Sequence, residues 1–115
     1  RAGSREPHPP AAGIRLGSIH LQPERGQVLV EGRPLRLTRT EFELLHFLMQ
    51  HAGKVLTHRR ILQQVWGPEY GEESEYLRVY IGRLRRKIEN DPANPVYLLT
   101  EHGVGYRFEE RGSLF

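Results

Sequence analysis

The chain has no cysteine, which removes disulfides, iron–sulfur clusters and thiolate zinc sites and leaves the redox compartment open. No apolar run approaches the roughly 18 residues of a membrane span and no signal peptide is visible, so a soluble, intracellular protein is the default expectation. Coiled-coil heptads and a broad apolar patch are also missing, and a monomer is expected. Internal repeats are absent. The six histidines are scattered, and His46 and His51 stand five apart rather than at the four-residue spacing that puts two metal ligands on one helical face. Gly103-Val104-Gly105 is too short for a phosphate cradle, and Glu72/Glu73 and Glu109/Glu110 are sequence neighbours rather than a pair of opposed catalytic carboxylates. Neither an enzyme nor a bound metal or cofactor is expected.

What is present is a strongly uneven distribution of charge. The 115 residues suit one small domain, with a net charge of +3. Between Glu75 and Ile88 five cations stand against one carboxylate, so the excess sits in a single element. Leu77, Ile81, Leu84 and Ile88 step by four, three and four, which stacks them as one apolar stripe of a helix. The opposite face carries Glu75, Val79, Gly82, Arg83 and Arg86, with Arg78 and Arg85 on one flank and Tyr76, Tyr80 and Lys87 on the other. A β-branched residue and a glycine on a solvated helix face cost propensity, about 1 kcal/mol for glycine relative to alanine. A polyanion with a groove would account for both. The plainer reading is an ordinary basic surface helix, which the rest of the chain must exclude.

Residues 1–13 hold three prolines and no apolar periodicity, and the first residue is Arg1, so they read as a disordered linker from an upstream domain. Residues 111–115 read as a tail, leaving 14–110 as the folded domain. Ile14 to Leu16, Ile19 to Gln22, Val28 to Glu31 and Leu35 to Leu37 alternate with turns at 23–26 and 31–34, which predicts a four-stranded antiparallel sheet. Thr38 with Glu41 forms a capping box that starts a helix over about 39–51. Lys54 to Leu56 is an extended link, and Thr57 caps a second helix with Ile61, Leu62, Val65 and Trp66 on its inner stripe. His58, Arg59 and Arg60 in its first turn oppose the helix dipole, a penalty that an adjacent phosphate would reverse. An acidic loop, 67–74, ends at Ser74, read as the cap of the basic helix. Beyond it Tyr97 to Thr100 and Tyr106 to Phe108 flank Glu101-His102-Gly103-Val104-Gly105, a hairpin whose glycines supply positive φ.

Sheet, three helices and a hairpin placed after the basic helix predict an α+β winged helix-turn-helix. Thr38-Arg39-Thr40-Glu41-Phe42-Glu43-Leu44-Leu45, Val65-Trp66-Gly67, Leu84-Arg85-Arg86-Lys87 and Gly103-Val104-Gly105-Tyr106-Arg107-Phe108 resemble the effector domain of OmpR/PhoB-class bacterial two-component response regulators. Within that class, Gln64 to Pro68 and Tyr76 to Gly82 resemble regulators of potassium-transport operons. The resemblance implies a cytoplasmic, bacterial, DNA-binding regulator of transcription whose third helix enters the major groove and whose hairpin reaches the neighbouring minor groove. It also implies tandem binding on direct repeats, a sensor histidine kinase acting through a receiver domain, and RNA polymerase meeting the 67–74 loop through Pro68, Glu69, Tyr70, Glu72 and Glu73. Glu75, Gly82 and His102 stand where the phosphate-regulon member carries arginines. A winged helix that binds protein instead of DNA is the alternative, against which the cation-rich helix argues.

Arg78 and Arg83 are candidates for base edges, where a guanidinium matches guanine O6 and N7, or for phosphate alone. Val79 is a candidate for a thymine methyl. Tyr80 either reaches a base or phosphate or lies buried beside Leu84; Glu75, Tyr76 and Gly82 share the DNA-facing surface. Arg85, Arg86 and Lys87 are assigned to phosphates, with an intramolecular ion pair as the alternative for Arg85. Trp66 is mainly core, with its indole N–H as a phosphate donor, and Tyr106 offers its hydroxyl from the hairpin. Arg59 and Thr100 complete the proposed contacts, and His102 at the hairpin tip is the minor-groove candidate.

Overall fold

The computed structural model describes residues 13–109, so the expected linker, apart from Gly13, and the expected tail lie outside the described residues. The chain opens with a four-stranded antiparallel meander, β1 (Ile14–Leu16), β2 (Ile19–Gln22), β3 (Gln27–Val30) and β4 (Arg33–Leu35), in that spatial order. Register places Ile14, Leu21, Val28 and Leu35 in one cross-strand row, and Ile19, Leu21 and Val28 are essentially without solvent contact. The period-2 alternation thus buries one face.

The last turn and strand of this sheet differ from the sequence expectation. The turn between β3 and β4 is only Glu31-Gly32, both at positive φ (53° and 80°), as a tight hairpin of this twist requires. Arg33-Pro34 therefore begins the last strand, where the expectation put a turn and a strand over 35–37. Pro34 is tolerated because β4 is an edge strand.

Helix α1 (Arg39–Gln50) carries the expected capping box: the Thr38 hydroxyl accepts the Glu41 N–H at 3.2 Å, and Glu41 Oε1 accepts the Thr38 N–H at 3.0 Å. Helix α2 (His58–Val65) is capped by Thr57 in the same manner, through the Arg60 N–H at 3.1 Å. The residues before it are more than a link. They form β5 (Val55–Thr57), which pairs antiparallel with the second strand of the hairpin, so the wing is a three-stranded sheet in the order β5, β7 (Gly105–Phe108), β6 (Leu98–Glu101). Gly105 is held in place by that pairing, since a Cβ there would run into the Leu56 carbonyl. Of the hairpin glycines only Gly103 takes a positive φ, 77°.

Helix α3 spans Ser74–Ile88, with Leu77, Ile81, Leu84 and Ile88 all buried as their spacing predicts. Burying each such side chain contributes about 1.5–3 kcal/mol, so the stripe fixes which way the rest of α3 faces. Ser74 is not the cap. The N-cap is Glu73, without a side-chain hydrogen bond to the helix; its carboxylate instead accepts the N–H groups of Gly71 (2.9 Å) and Glu72 (3.0 Å) and shapes the preceding loop.

Candidate nucleic-acid interface

With the apolar stripe of α3 fixed in the core, Glu75, Arg78, Val79, Arg83 and Arg86 are exposed and Gly82 is half-exposed. Val79 is 50% accessible, a large apolar side chain left in solvent at the centre of this face. Arg78 sits 3.6 Å from the Glu75 carboxylate, an exposed pair of little energetic weight that a stronger anion would displace. Around Gly82 the surface is low: beyond the helix's own backbone, a Cβ at this position would have only Arg86 Nη1 near it among the described residues, at 3.8 Å.

The aromatic flank is organised as a cluster. Trp66 packs against Tyr76 and Tyr80 with ring centroids 5.3 and 5.1 Å apart, the two tyrosines lie 5.3 Å from each other, and the Arg83 guanidinium rests 4.9 Å over the Tyr80 ring. Stacking of this kind pre-orders Arg83 beside the helix at a cost already met by the contact. Tyr80 is thus half-buried in an aromatic cluster, with Tyr76 43% exposed beside it.

Two of the cations assigned to phosphate are engaged elsewhere. Arg85 donates through Nε and Nη2 to the Leu98 carbonyl at 3.0 and 2.7 Å and through Nη2 to Thr100 Oγ1 at 2.9 Å. The alternative ion pair is also not what forms, because its acceptors are a carbonyl and a hydroxyl. Lys87 lies 2.7 Å from Glu41 Oε1 and 3.0 Å from the Arg36 carbonyl. Burial alone would raise the Glu41 carboxyl, but the Lys87 ammonium and the Thr38 N–H hold it below the usual carboxylate range. A charged group committed to a buried carboxylate would leave that carboxylate unpaired if it turned to a phosphate. Lys87 therefore braces α3 against the start of α1 in this structure.

Across from α3, the wing closes a cleft of about 320 Å³ lined by His58, Arg78, Arg85, Thr100, His102 and Tyr106, together with Glu101 and Gly103. His102 is exposed at the turn, and Thr100 is exposed on β6. Tyr106 is only 5% accessible; burial pushes its phenol above the ordinary value, against the pull of Arg85 and Arg78, so it is a neutral hydroxyl at physiological pH. His58, read from the sequence only as one cation of a helix turn, stacks edge-on against Tyr106 at 5.6 Å, and its backbone N–H donates to the Val104 carbonyl of the wing turn. No local signal marks it, since its partners lie more than 40 residues away.

The acidic loop is tied down at both ends. Gln63 donates to the Pro68 carbonyl at 3.4 Å, Tyr70 is half-buried against the core, and Glu69, Glu72 and Glu73 are exposed. The Gly71 N–H, foremost, keeps the Glu73 carboxyl below its usual range. Arg59 reaches over Gly71 to within 4.0 Å of the Glu72 carboxylate, so this exposed cation borders the loop as well as the first turn of α2.

A two-sheet frame carrying an outward basic helix beside a hairpin agrees with the match of residues 32–108 to the family described as "Transcriptional regulatory protein, C terminal". The chain belongs to this family. It is an OmpR/PhoB-type effector domain, and its relatives include the KDP operon transcriptional regulatory protein KdpE of Escherichia coli, 57% identical over 74 residues that cover 64% of this chain and 33% of that protein. The sensory transduction protein RegX3 of Mycolicibacterium smegmatis is 44% identical over 96 residues, covering 84% of this chain and 42% of that protein. The chain thus spans less than half the length of these curated relatives. Among solved structures, the DNA-binding domain of Klebsiella pneumoniae RstA in complex with the RstA box superimposes with a TM-score of 0.78 at 29% identity, covering 84% of this chain and 96% of that one. The response regulator DrrB of Thermotoga maritima, an OmpR/PhoB homologue, does so with a TM-score of 0.77 at 34% identity, covering 85% and 44%.

This effector domain therefore has the winged-helix fold that its sequence predicts. Both the KDP operon regulator KdpE and RegX3 are among its relatives, so the likeness reaches the class of regulator and stops short of a regulon. Among the described residues no helix is long and apolar enough to cross a membrane, and the family is one of DNA-binding transcription regulators rather than enzymes.

Proposed function

We propose that the domain binds duplex DNA sequence-specifically as the output module of a two-component response regulator. The observation that carries this is the outward face of α3, where Arg78, Arg83 and Arg86 surround an exposed Val79 and a side-chain-free Gly82 while every apolar residue of the inner stripe is buried. In this reading α3 lies in the major groove, whose width of about 12 Å admits a helix. The wing turn brings His102 to the adjacent minor groove. Arg78 and Arg83 read base edges, Val79 meets a thymine methyl, and Arg86, Arg59, Thr100, Trp66 and Tyr106 hold the backbone. Glu75, Tyr76 and Tyr80 shape the surface between them. The Klebsiella relative bound to its RstA box supports the assignment by fold.

The finer parts of the proposal rest on the resemblance to OmpR/PhoB-class regulators. By the resemblance to that class, a receiver phosphorylated by a sensor histidine kinase would control pairing of two effector domains on direct repeats, with residues 1–13 as the linker to it. Pro68, Glu69, Tyr70, Glu72 and Glu73 present an acidic surface to RNA polymerase. Identity to KdpE favours a potassium-transport operon as the target. Protection mapping on genomic fragments tests the core of this reading: a protected direct repeat upstream of potassium-transport genes is the expected result. Protection of a repeat elsewhere would reassign the regulon. Binding without any sequence preference, or none at low salt, would overturn DNA recognition altogether.

A further inference from the structure

We infer that Arg85 is a positioning residue that locks the wing to the recognition helix, and that it does so from inside the protein rather than as a ligand of DNA phosphate. The inference rests on the DNA-binding reading above. Its basis is the way α3 meets the outer edge of β6. In an antiparallel pair, alternate residues turn both backbone groups toward the neighbouring strand or both away from it. The Glu109 N–H donates to the Tyr97 carbonyl just before the strand begins, so Leu98 and Thr100 within the ladder face outward, away from β7, and the N–H of Tyr97, outside the ladder, turns outward as well.

That edge is not left open. The Glu89 carboxylate accepts the N–H groups of Leu98 (2.8 Å), Tyr97 (3.0 Å) and Val96 (2.9 Å), while Arg85, one helical turn earlier, donates twice to the Leu98 carbonyl. The two side chains thus treat Leu98 as an adjacent β-strand would, one supplying the acceptor and the other the donors. Glu89 is buried, and Arg85 is half-buried. The third Arg85 bond, to Thr100 Oγ1, carries the grip two residues further toward the wing turn. Its guanidinium also lies 6.0 Å from the centroid of the Tyr106 ring on the paired strand.

The consequence is mechanical. A domain that places one element in the major groove and another in the neighbouring minor groove must hold the two at a fixed separation, and an unlocked wing would have to be ordered at the moment of binding. Arg85 suits this task because its planar fork makes two bonds to one carbonyl, a geometry that an ammonium cannot reproduce. Neighbouring Arg86, by contrast, remains exposed on the outward face of the helix.

Three proteins decide the matter: the parent chain, Arg85→Lys and Arg85→Gln, each titrated with operator duplex over a range of salt and mapped by methylation protection at guanine N7 in the major groove and adenine N3 in the minor groove. Thermal melts accompany them, and Arg85→Lys carries the test if Arg85→Gln does not fold. The expected result is that both variants bind roughly tenfold more weakly, the order lost when one cluster of contacts must be ordered on binding. Both keep the parent's salt slope and guanine protection and lose adenine protection. Recovery of parental affinity by Arg85→Lys, or a salt slope lower by about one in Arg85→Gln with adenine protection kept, would show a phosphate ligand and overturn the inference. A parent that binds no duplex even at low salt would overturn the functional reading instead.

Discussion

Arg83 and Arg86 stand within about one helical turn of Arg85 and Lys87, on the same helix and with the same charge, yet the two pairs do different work. Arg83 lies over the Tyr80 ring and Arg86 is exposed, both on the face turned away from the core. Arg85 and Lys87 reach along the flanks instead, to the wing at Leu98 and Thr100 and to the start of α1 at Glu41 and Arg36. The difference teaches that a basic run is not one surface. Long amphipathic side chains lay their stems along the protein and end wherever an acceptor is found.

Removing one member of the internal pair gives the largest expected loss of stability. Lys87→Met should destabilise the fold by about 1–3 kcal/mol, because Glu41 keeps a buried carboxylate without its cation, a loss moderated by the part-exposure of Lys87. Denaturant unfolding of parent and variant measures this, and the salt slope of DNA binding should not change. A slope reduced by one would return Lys87 to the phosphate ligands.

The same brace sets a dependence on acid. Burial tends to raise the Glu41 carboxyl, but Lys87 and Thr38 outweigh it and the folded-state value is lowered. A lowered folded-state value means that the stabilisation is fully present above the unfolded carboxylate's range and is lost as pH falls through the folded value. Glu41→Gln should therefore be less stable than the parent at neutral pH, and the two unfolding curves should converge on acidification. Parallel curves down to strongly acidic pH would show that the Lys87 and Thr38 contacts do not outweigh the burial of Glu41.

The external pair can be sharpened by separating reading from holding. Arg78→Ala and Arg83→Ala should each relax preference at one or two base pairs by about 1–3 kcal/mol, whereas Arg86→Ala should weaken specific and random duplexes alike and lower the salt slope by about one. Competition titrations with single-base operator variants check this. Equal effects of all three substitutions would collapse the distinction.

How far the sequence discloses this division depends on the distance to each partner. The capping box of α1 and the stripe Leu77, Ile81, Leu84, Ile88 are local, and both appear where spacing predicts them. β5 is three residues long and pairs with a strand about 50 residues away, so nothing within Val55–Thr57 distinguishes a strand from a link. The same holds for the site. Val79 and Gly82 are legible because a helix places them opposite the stripe, while the destinations of Arg85 and Lys87 lie 13 and 46 residues off and become visible only when β6 and α1 are packed against α3. Ser74 is the natural cap by composition, yet Glu73 takes the position because its carboxylate is drawn back to the Gly71 and Glu72 amides of the loop.

Gly82 offers the smallest and cleanest test, because it lies on the external face where no partner among the described residues explains it. Among the described residues a Cβ at this position would meet nothing beyond its own helix backbone closer than Arg86 Nη1, the end of a flexible side chain at 3.8 Å, so the described fold does not require glycine. Alanine should then raise helix propensity and stabilise the domain by up to about 1 kcal/mol. If the backbone at Gly82 approaches the floor of the major groove, the same methyl group should weaken operator binding, and Gly82→Leu should weaken it much more. Stability and affinity must move in opposite directions, which no purely structural role for this glycine produces. Thermal melts and binding titrations on the same two variants measure both quantities, and a Gly82→Leu domain that binds as tightly as its parent would place the DNA against a different face of α3.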